Sequence, residues 1–220
     1  MFGKIAEFYG QGGPWMHPIT LVSIIAISIS VERIIALYFR YNINSSSFMA
    51  QIQKLVMANN IDRAIKLCNV TPTAILPRVL KAALTRANKG EVEISNALEI
   101  AQTEALRDLT KRTSILPTLS NLATLAGLLG TIVGLIEAFT AVAAAPPDMK
   151  SQMLTAALAI GLNSTAYGLI VAIPTLAFYV FLNTTTKKLI DDMDVYALKI
   201  HYLLVARGKT QGQGMAQAVE

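Results

Sequence analysis

The stretch Leu122–Asp148 reads LATLAGLLGTIVGLIEAFTAVAAAPPD. Up to the Pro146-Pro147 pair, its only ionisable side chain is Glu137. At about 1.5 Å per residue, a run of this length crosses the roughly 30 Å hydrocarbon layer of a bilayer as one helix. Gly127, Gly130 and Gly134 fall on one helical face, and Gly130 and Gly134 form a GxxxG pair. Lipid supplies no hydrophobic drive between helices, so a face without side chains acts by letting backbones approach closely. Ala144-Ala145-Pro146-Pro147-Asp148 then stops the helix and turns the chain.

Another apolar run follows at once, over 152–186. It repeats the small-residue theme with Ala157, Gly161, Ser164 and Gly168. It is longer than a bilayer requires, so its end projects into water or the helix tilts. Pro174 is a candidate kink. Upstream, over 14–40, lies a further run containing ITLVSIIAISISVERIIALYF, with the Glu32-Arg33 pair near its far end. Trp15 and Tyr38 bracket it as interfacial anchors. Basic residues follow this run rather than precede it, which suits a retained span rather than a cleaved signal peptide.

Composition agrees. The chain has 220 residues, 53% of them hydrophobic and 15% charged, with a mean hydropathy of +0.48. Soluble domains carry about 25% charge. Disorder needs the opposite composition. The lone Cys68 excludes a disulfide scaffold within the chain. His17, His201 and Cys68 give no metal-ligand spacing, and no nucleophile–base constellation suggests an enzyme, so neither metal nor cofactor is expected.

The net charge of +5 is distributed by segment. Eleven Lys and Arg residues lie from Arg40 to Arg112 and five follow position 186. The segment before the first span has only Lys4, and the turn between the last two spans only Lys150. Basic loops stay on the cytoplasmic side. The expected layout is therefore a periplasmic segment 1–13, a span 14–40, a cytoplasmic helical loop 41–114, a span 115–146, a periplasmic turn 147–151, a span 152–186 and a cytoplasmic helix and tail 187–220. Basic and aromatic residues do not interleave, so no nucleic acid partner is expected.

Within the loop, Thr71 and Pro72 suggest a helix start. Ile94, Leu98, Ala101, Ala105 and Leu109 build one helical face. Only Pro117 interrupts the path from that helix into the next span, predicting one long helix kinked there. Leu189, Met193, Tyr196, Ile200 and Leu203 predict that the last helix continues onto a cytoplasmic bundle. The tail from Gly208 has no periodicity and is expected to be disordered. The fold class is thus an all-α integral membrane protein with three transmembrane helices, two of them long and extending into a cytoplasmic helical bundle.

Candidate functional residues lie in the second and third spans. Thr124 and Thr131 share a face, and Thr165 sits mid-span beside Asn163 and Ser164. A membrane threonine bonds back to its own helix; a mid-depth cluster can also line a water-filled path or bind a partner's carboxylate. An intramembrane acid such as Glu137 is either an ion-path group or one reaching the interface. The glycine lines 127-130-134 and 161-164-168 meet between subunits or between the two spans of one chain.

The segments Gly127-Leu-Leu-Gly-Thr-Ile-Val-Gly134 and Ser164-Thr-Ala-Tyr-Gly-Leu-Ile-Val-Ala-Ile-Pro174, with Glu32-Arg33, resemble the MotA/TolQ/ExbB family of proton-channel proteins. The order of elements resembles its ExbB and TolQ branch. The resemblance implies a homopentamer in the bacterial inner membrane around a dimer of ExbD- or TolR-like single-span partners. It implies a partner aspartate carrying the proton, and pore threonines at Thr131 and Thr165. It departs at Ile160, where ExbB and TolQ have a glutamate. The function expected is the pore-forming stator subunit of an ion-driven motor; the alternative is a non-conducting scaffold that anchors a partner.

Overall fold

The protein is described by a computed structural model covering residue 9, residues 13–41 and residues 43–217, with side chains described up to residue 208. Most of the segment 1–13 and the last three residues therefore lie outside the described residues. Among those described, the chain is helical and holds three stretches long and apolar enough to cross a membrane: Met16–Met57, Thr113–Ala144 and Pro147–Gly208.

The residues divide into two units. The first takes in residues up to Arg33 and Arg112–Phe181. It is built from α1 (Met16–Ile35), α6 (Leu116–Ala144) and α7 (Pro147–Gln217), the last contributing its first half. A continuous π-helical turn, Ala36–Tyr41, ends the first span. α6 has 29 residues, or about 44 Å of helix, enough to cross the bilayer with a turn to spare at each end. Its apolar side chains mostly point outward, as lipid-facing residues do; Leu125, Ile132, Ile136 and Phe139 are exposed. After Leu116 and Leu119 in its first turn, what it buries is small: Ser120, Ala123, Gly127, Gly130 and Ala138. Ile19, Ala123, Val171 and Ala172 form the core of the unit.

The expected continuous helix kinked at Pro117 is not what forms. α5 (Glu91–Thr110) ends, Arg112 takes a left-handed φ of 63°, and a 3₁₀ turn over Thr113–Ile115 leads into α6. Pro117 sits in the first turn of α6, where its missing N–H costs nothing. Residues of α1 fasten the break. Arg33 is only 3% exposed and donates its Nε–H to Thr113 Oγ1 at 3.2 Å, while Glu32 pairs with Arg112. Arg33 is tolerated in this buried position because the turn presents an acceptor to it.

The second unit comprises Ile34–Lys111 and the chain from Leu182. It contains α2 (Ser45–Met57), α3 (Ile61–Val70), α4 (Ile75–Leu84), α5 and the second half of α7. Asn44 caps α2 by accepting from the Ser47 N–H at 3.1 Å. Thr71 does not begin a helix at Pro72: it ends α3, and the chain turns before α4 starts at Ile75. Pro77 then falls in the first turn of α4, where proline is tolerated. α5 buries Ile94, Leu98, Ala101, Ala105 and Leu109, the face its spacing predicts. On α7 the buried stripe is Leu189, Met193, Ala197, Ile200 and Leu204; Tyr196 and Leu203 lie half-exposed beside it. α7 also runs to Gln217, past Gly208 where disorder was expected. A formed helix adds each further residue with a backbone bond and needs no apolar face to do so.

Candidate functional site

α6 and α7 touch backbone to backbone along their glycine lines, and the site grows out of that contact. A Cβ placed on Gly168 would lie 2.7 Å from the Ala123 carbonyl oxygen and 3.2 Å from Gly127 Cα. One on Gly127 would lie 3.0 Å from the Ser164 carbonyl oxygen, and one on Gly161 would lie 3.3 Å from Thr131 Cα. Only glycine permits such approach. The two lines therefore meet within one chain, so they are satisfied without a second copy.

This closeness brings Thr131 and Thr165 together. Their hydroxyls hydrogen-bond each other. Thr131 Oγ1 also stands 2.9 Å from the Gly161 carbonyl oxygen and 3.3 Å from that of Gly127, and Thr165 Oγ1 is 3.1 Å from the same Gly127 oxygen. Two hydroxyl protons thus serve four clustered oxygens, and each hydroxyl has one proton and two lone pairs. The site is rich in acceptors. It can bind a further donor through a free lone pair, or turn one hydroxyl outward to donate to an anion in exchange for the bond that hydroxyl now donates. Both threonines are half-buried.

The other expected residues are placed apart. Thr124 donates to the Ser120 carbonyl oxygen of its own helix at 3.2 Å. Asn163 is half-buried and joins no cluster among the described contacts. Glu137 is exposed and lines a cleft of about 340 Å³ between α6 and α7 near their connecting turn, walled by Gly134, Ala138, Met153, Ala157 and Ile160. Ile160 thus borders the same cleft as the carboxylate that α6 supplies. Gly134 and Gly161 are already looser there, with 3.6 Å from a Cβ on the former to Cα of the latter, so the helices splay into the cleft.

Sequence reasoning missed two features. Ser164 is 1% exposed, points at Gly130 and has no hydrogen-bond partner among the described residues, the absent side chain of Gly130 making room for its hydroxyl. Ser120 joins α6 to α7 by donating to the Ala172 carbonyl oxygen at 2.9 Å. A serine on the small-residue stripe was the available signal in each case.

Three apolar helices, two of which hold paired hydroxyls and backbone oxygens at their contact, define a multi-pass membrane protein. The chain belongs to the MotA/TolQ/ExbB proton channel family, whose sequence profile matches residues 72–195. Over 100 residues it is 36% identical to the biopolymer transport protein ExbB of Aquifex aeolicus, covering 45% of this chain and 66% of that protein, just under two thirds. It is 29% identical over 172 residues to the putative biopolymer transport protein ExbB-like 3 of Synechocystis, covering 76% of this chain and 79% of that one. Its fold is like that in the structure of C. jejuni MotAB, with a TM-score of 0.60 and 17% identity over 93% of this chain and 84% of that chain.

Proposed function

We propose that this chain is the pore-forming stator subunit of an inner-membrane, ion-driven motor that energises transport through a single-span partner of the ExbD or TolR type. The Thr131–Thr165 pair carries the reading. A helix pair needs only its glycines to pack, yet this one places two hydroxyls and two carbonyl oxygens together at mid-span. A partner aspartate approaching them finds acceptors when protonated and donors when charged, because the hydroxyls can rotate between the two arrangements. That is what a carboxylate alternately loaded and unloaded with a proton requires. Relatives named for biopolymer transport favour transport as the driven process.

Five copies around a partner dimer form the assembly, turning the Thr131–Thr165 edge of each α6–α7 pair toward the axis, where lipid is excluded and polar groups are tolerated. The amino end lies outside, and the loop 41–114 and the tail beyond 186 lie inside. Glu137, with Thr124 and Asn163 on the same two spans, belongs to the ion path. Its carboxylate marks the outer end and stands across the cleft from Ile160. Native mass spectrometry of the chain co-expressed with its partner tests the assembly. Five copies with two of the partner are expected; a stable monomer or dimer, with nothing larger, overturns it.

A further inference from the structure

A groove runs through the second unit between α5 and the second half of α7. One cavity of about 390 Å³ takes in Leu98, Glu99 and Gln102 of α5 with Asp194, His201 and Tyr202 of α7. A second, of about 210 Å³, shares Glu99, Gln102 and Asp194 and continues to Leu106 and Ile190. The two helices lie antiparallel here, because Ser95 shares a cavity with Tyr202 and Leu106 shares one with Ile190. From Ser95 to Leu106 the groove is about 17 Å long, room for about three turns of a helix. Its floor is the buried Leu98 and Met193, and its rim carries the exposed Leu106, Leu198 and Tyr202. The Gln102 side chain donates to Asp194 Oδ1 at 2.8 Å and braces the middle.

The charge of the groove is opposite to that of the unit around it. Glu99 and Asp194 are exposed and line both cavities, and Glu91 stands 4.0 Å from His201 at one end. Among the described residues no lysine or arginine lines either cavity, and neither Glu99 nor Asp194 forms an ion pair. Exposed bases lie elsewhere, as Lys54 of α2 and Arg63 and Lys66 of α3. Lys199, the lysine within this stretch of α7, is held over the Tyr196 ring instead. Two carboxylates without a cation, beside an apolar rim left in water, do nothing for the fold of the unit: like charges repel, and the rim side chains gain nothing from burial.

A basic, amphipathic segment fits such a groove. Its apolar side chains cover the rim, and its ammonium or guanidinium groups meet the carboxylates. A protein that crosses the inner membrane once carries its lysines and arginines within about 15–20 residues of the cytoplasmic end of its span. The groove is within that reach, since its Leu106 end lies about ten residues along the chain from Leu116, where α6 starts. A second copy of this chain is the poorer match, because the exposed face of its basic helix α3 sets Asp62 beside Arg63 and Lys66.

We propose that the α5–α7 groove binds the lysine- and arginine-bearing cytoplasmic flank of the single-span partner. The inference rests on the stator reading and deepens it, giving the partner a docking surface outside the membrane. The test is photocrosslinking in the co-expressed chain–partner complex, with p-benzoylphenylalanine placed at Tyr202 or, separately, at Leu198, and at the exposed Val70 of α3 as a control. Tyr202 and Leu198 should give a chain–partner adduct that mass spectrometry maps to the partner's cytoplasmic flank, and Val70 should give none. Glu99→Gln combined with Asp194→Asn should lower the adduct yield severalfold. Glu104→Gln removes an exposed acid of α5 that lines neither cavity and should leave the yield unchanged. Raising salt from about 0.1 M to about 1 M shortens the screening length from about 10 Å to about 3 Å and should lower the wild-type yield as well. All the substituted side chains are exposed, so the fold is retained. Adducts between two copies of this chain overturn the proposal and give the groove to a second copy. No adduct at Tyr202 and Leu198, or a yield that the double variant does not change, also overturns it. In each of these cases a partner that still co-purifies leaves the stator reading standing. If no single-span protein co-purifies with the wild-type chain, the stator reading fails and takes this proposal with it.

Discussion

Gly168→Ala is a small change with a large expected consequence. The new methyl would lie 2.7 Å from the Ala123 carbonyl oxygen, about 0.7 Å inside the 3.4 Å at which ordinary contact begins. Both this oxygen and Gly127 Cα, at 3.2 Å, are backbone atoms, so no side chain can swing away. The helices must part locally by roughly the same 0.7 Å. That carries the Thr131–Gly161 and Thr165–Gly127 hydroxyl–carbonyl contacts, now 2.9 and 3.1 Å, beyond hydrogen-bonding range. Overpacking of this kind costs about 1–3 kcal/mol, and interhelical bonds in membranes contribute about 0.6–1.7 kcal/mol each. Together these come to about 2–6 kcal/mol, and at about 2–4 °C per kcal/mol for a chain of this size the melting temperature in mild detergent should fall by roughly 4–24 °C. Gly134→Ala is the internal control, because its methyl meets Gly161 at an ordinary 3.6 Å. It should be neutral or slightly stabilising, since alanine favours a helix by up to about 1 kcal/mol over glycine. Equal melting temperatures for the two variants, or the reverse order, would refute the backbone contact that builds the site.

Other outcomes follow from the same geometry. Gly130→Leu should unfold the α6–α7 contact within each chain, because its side chain would run into Ser164 and Trp15; loss of folded monomer in mild detergent is the reading. Thr113→Val removes an acceptor from the buried Arg33 guanidinium and should cost about 1.5–3 kcal/mol, measured by denaturant titration. Glu137→Gln should lower flux with the oligomer intact; wild-type flux would remove this residue from the ion path. Cys68 is 2% exposed, and burial pushes its thiol up to about 11. It should react slowly with thiol reagents at pH 8 in the folded protein and rapidly after denaturation. The folded state holds that proton more tightly than the unfolded one, so this group's contribution to stability is present below about pH 9 and is lost as pH rises toward 11.

The spans and the α5 face were legible because they are one-dimensional patterns. Twenty apolar residues or a four-three-four spacing state their own burial. The glycine lines were legible as contact surfaces, but their mate was not, since a small face packs equally well on the next helix or the next subunit. The meeting of Thr131 with Thr165 depends on the axial register of α6 against α7, which the Pro146 turn and the glycine contacts set jointly. The break at Arg112 carried no sequence signal beyond Pro117 five residues later, because a single left-handed non-glycine residue leaves none. The shift of the α7 stripe from Tyr196 and Leu203 to Ala197 and Leu204 is a matter of one residue in helix rotation. The edge-to-face contact of Tyr9 with Tyr167 joins residues far apart in the chain and has no local periodicity to read.

The central claim is that the paired hydroxyls of α6 and α7 serve ion passage rather than packing. Thr131→Val and Thr165→Val keep side-chain shape and remove the hydroxyls, so proton flux through the purified chain–partner complex in liposomes separates the two roles. The account predicts flux in wild type, strong loss in Thr165→Val, a weaker loss in Thr131→Val and none measurable in the double variant, all with the assembly mass unchanged. Full flux in the double variant would contradict it.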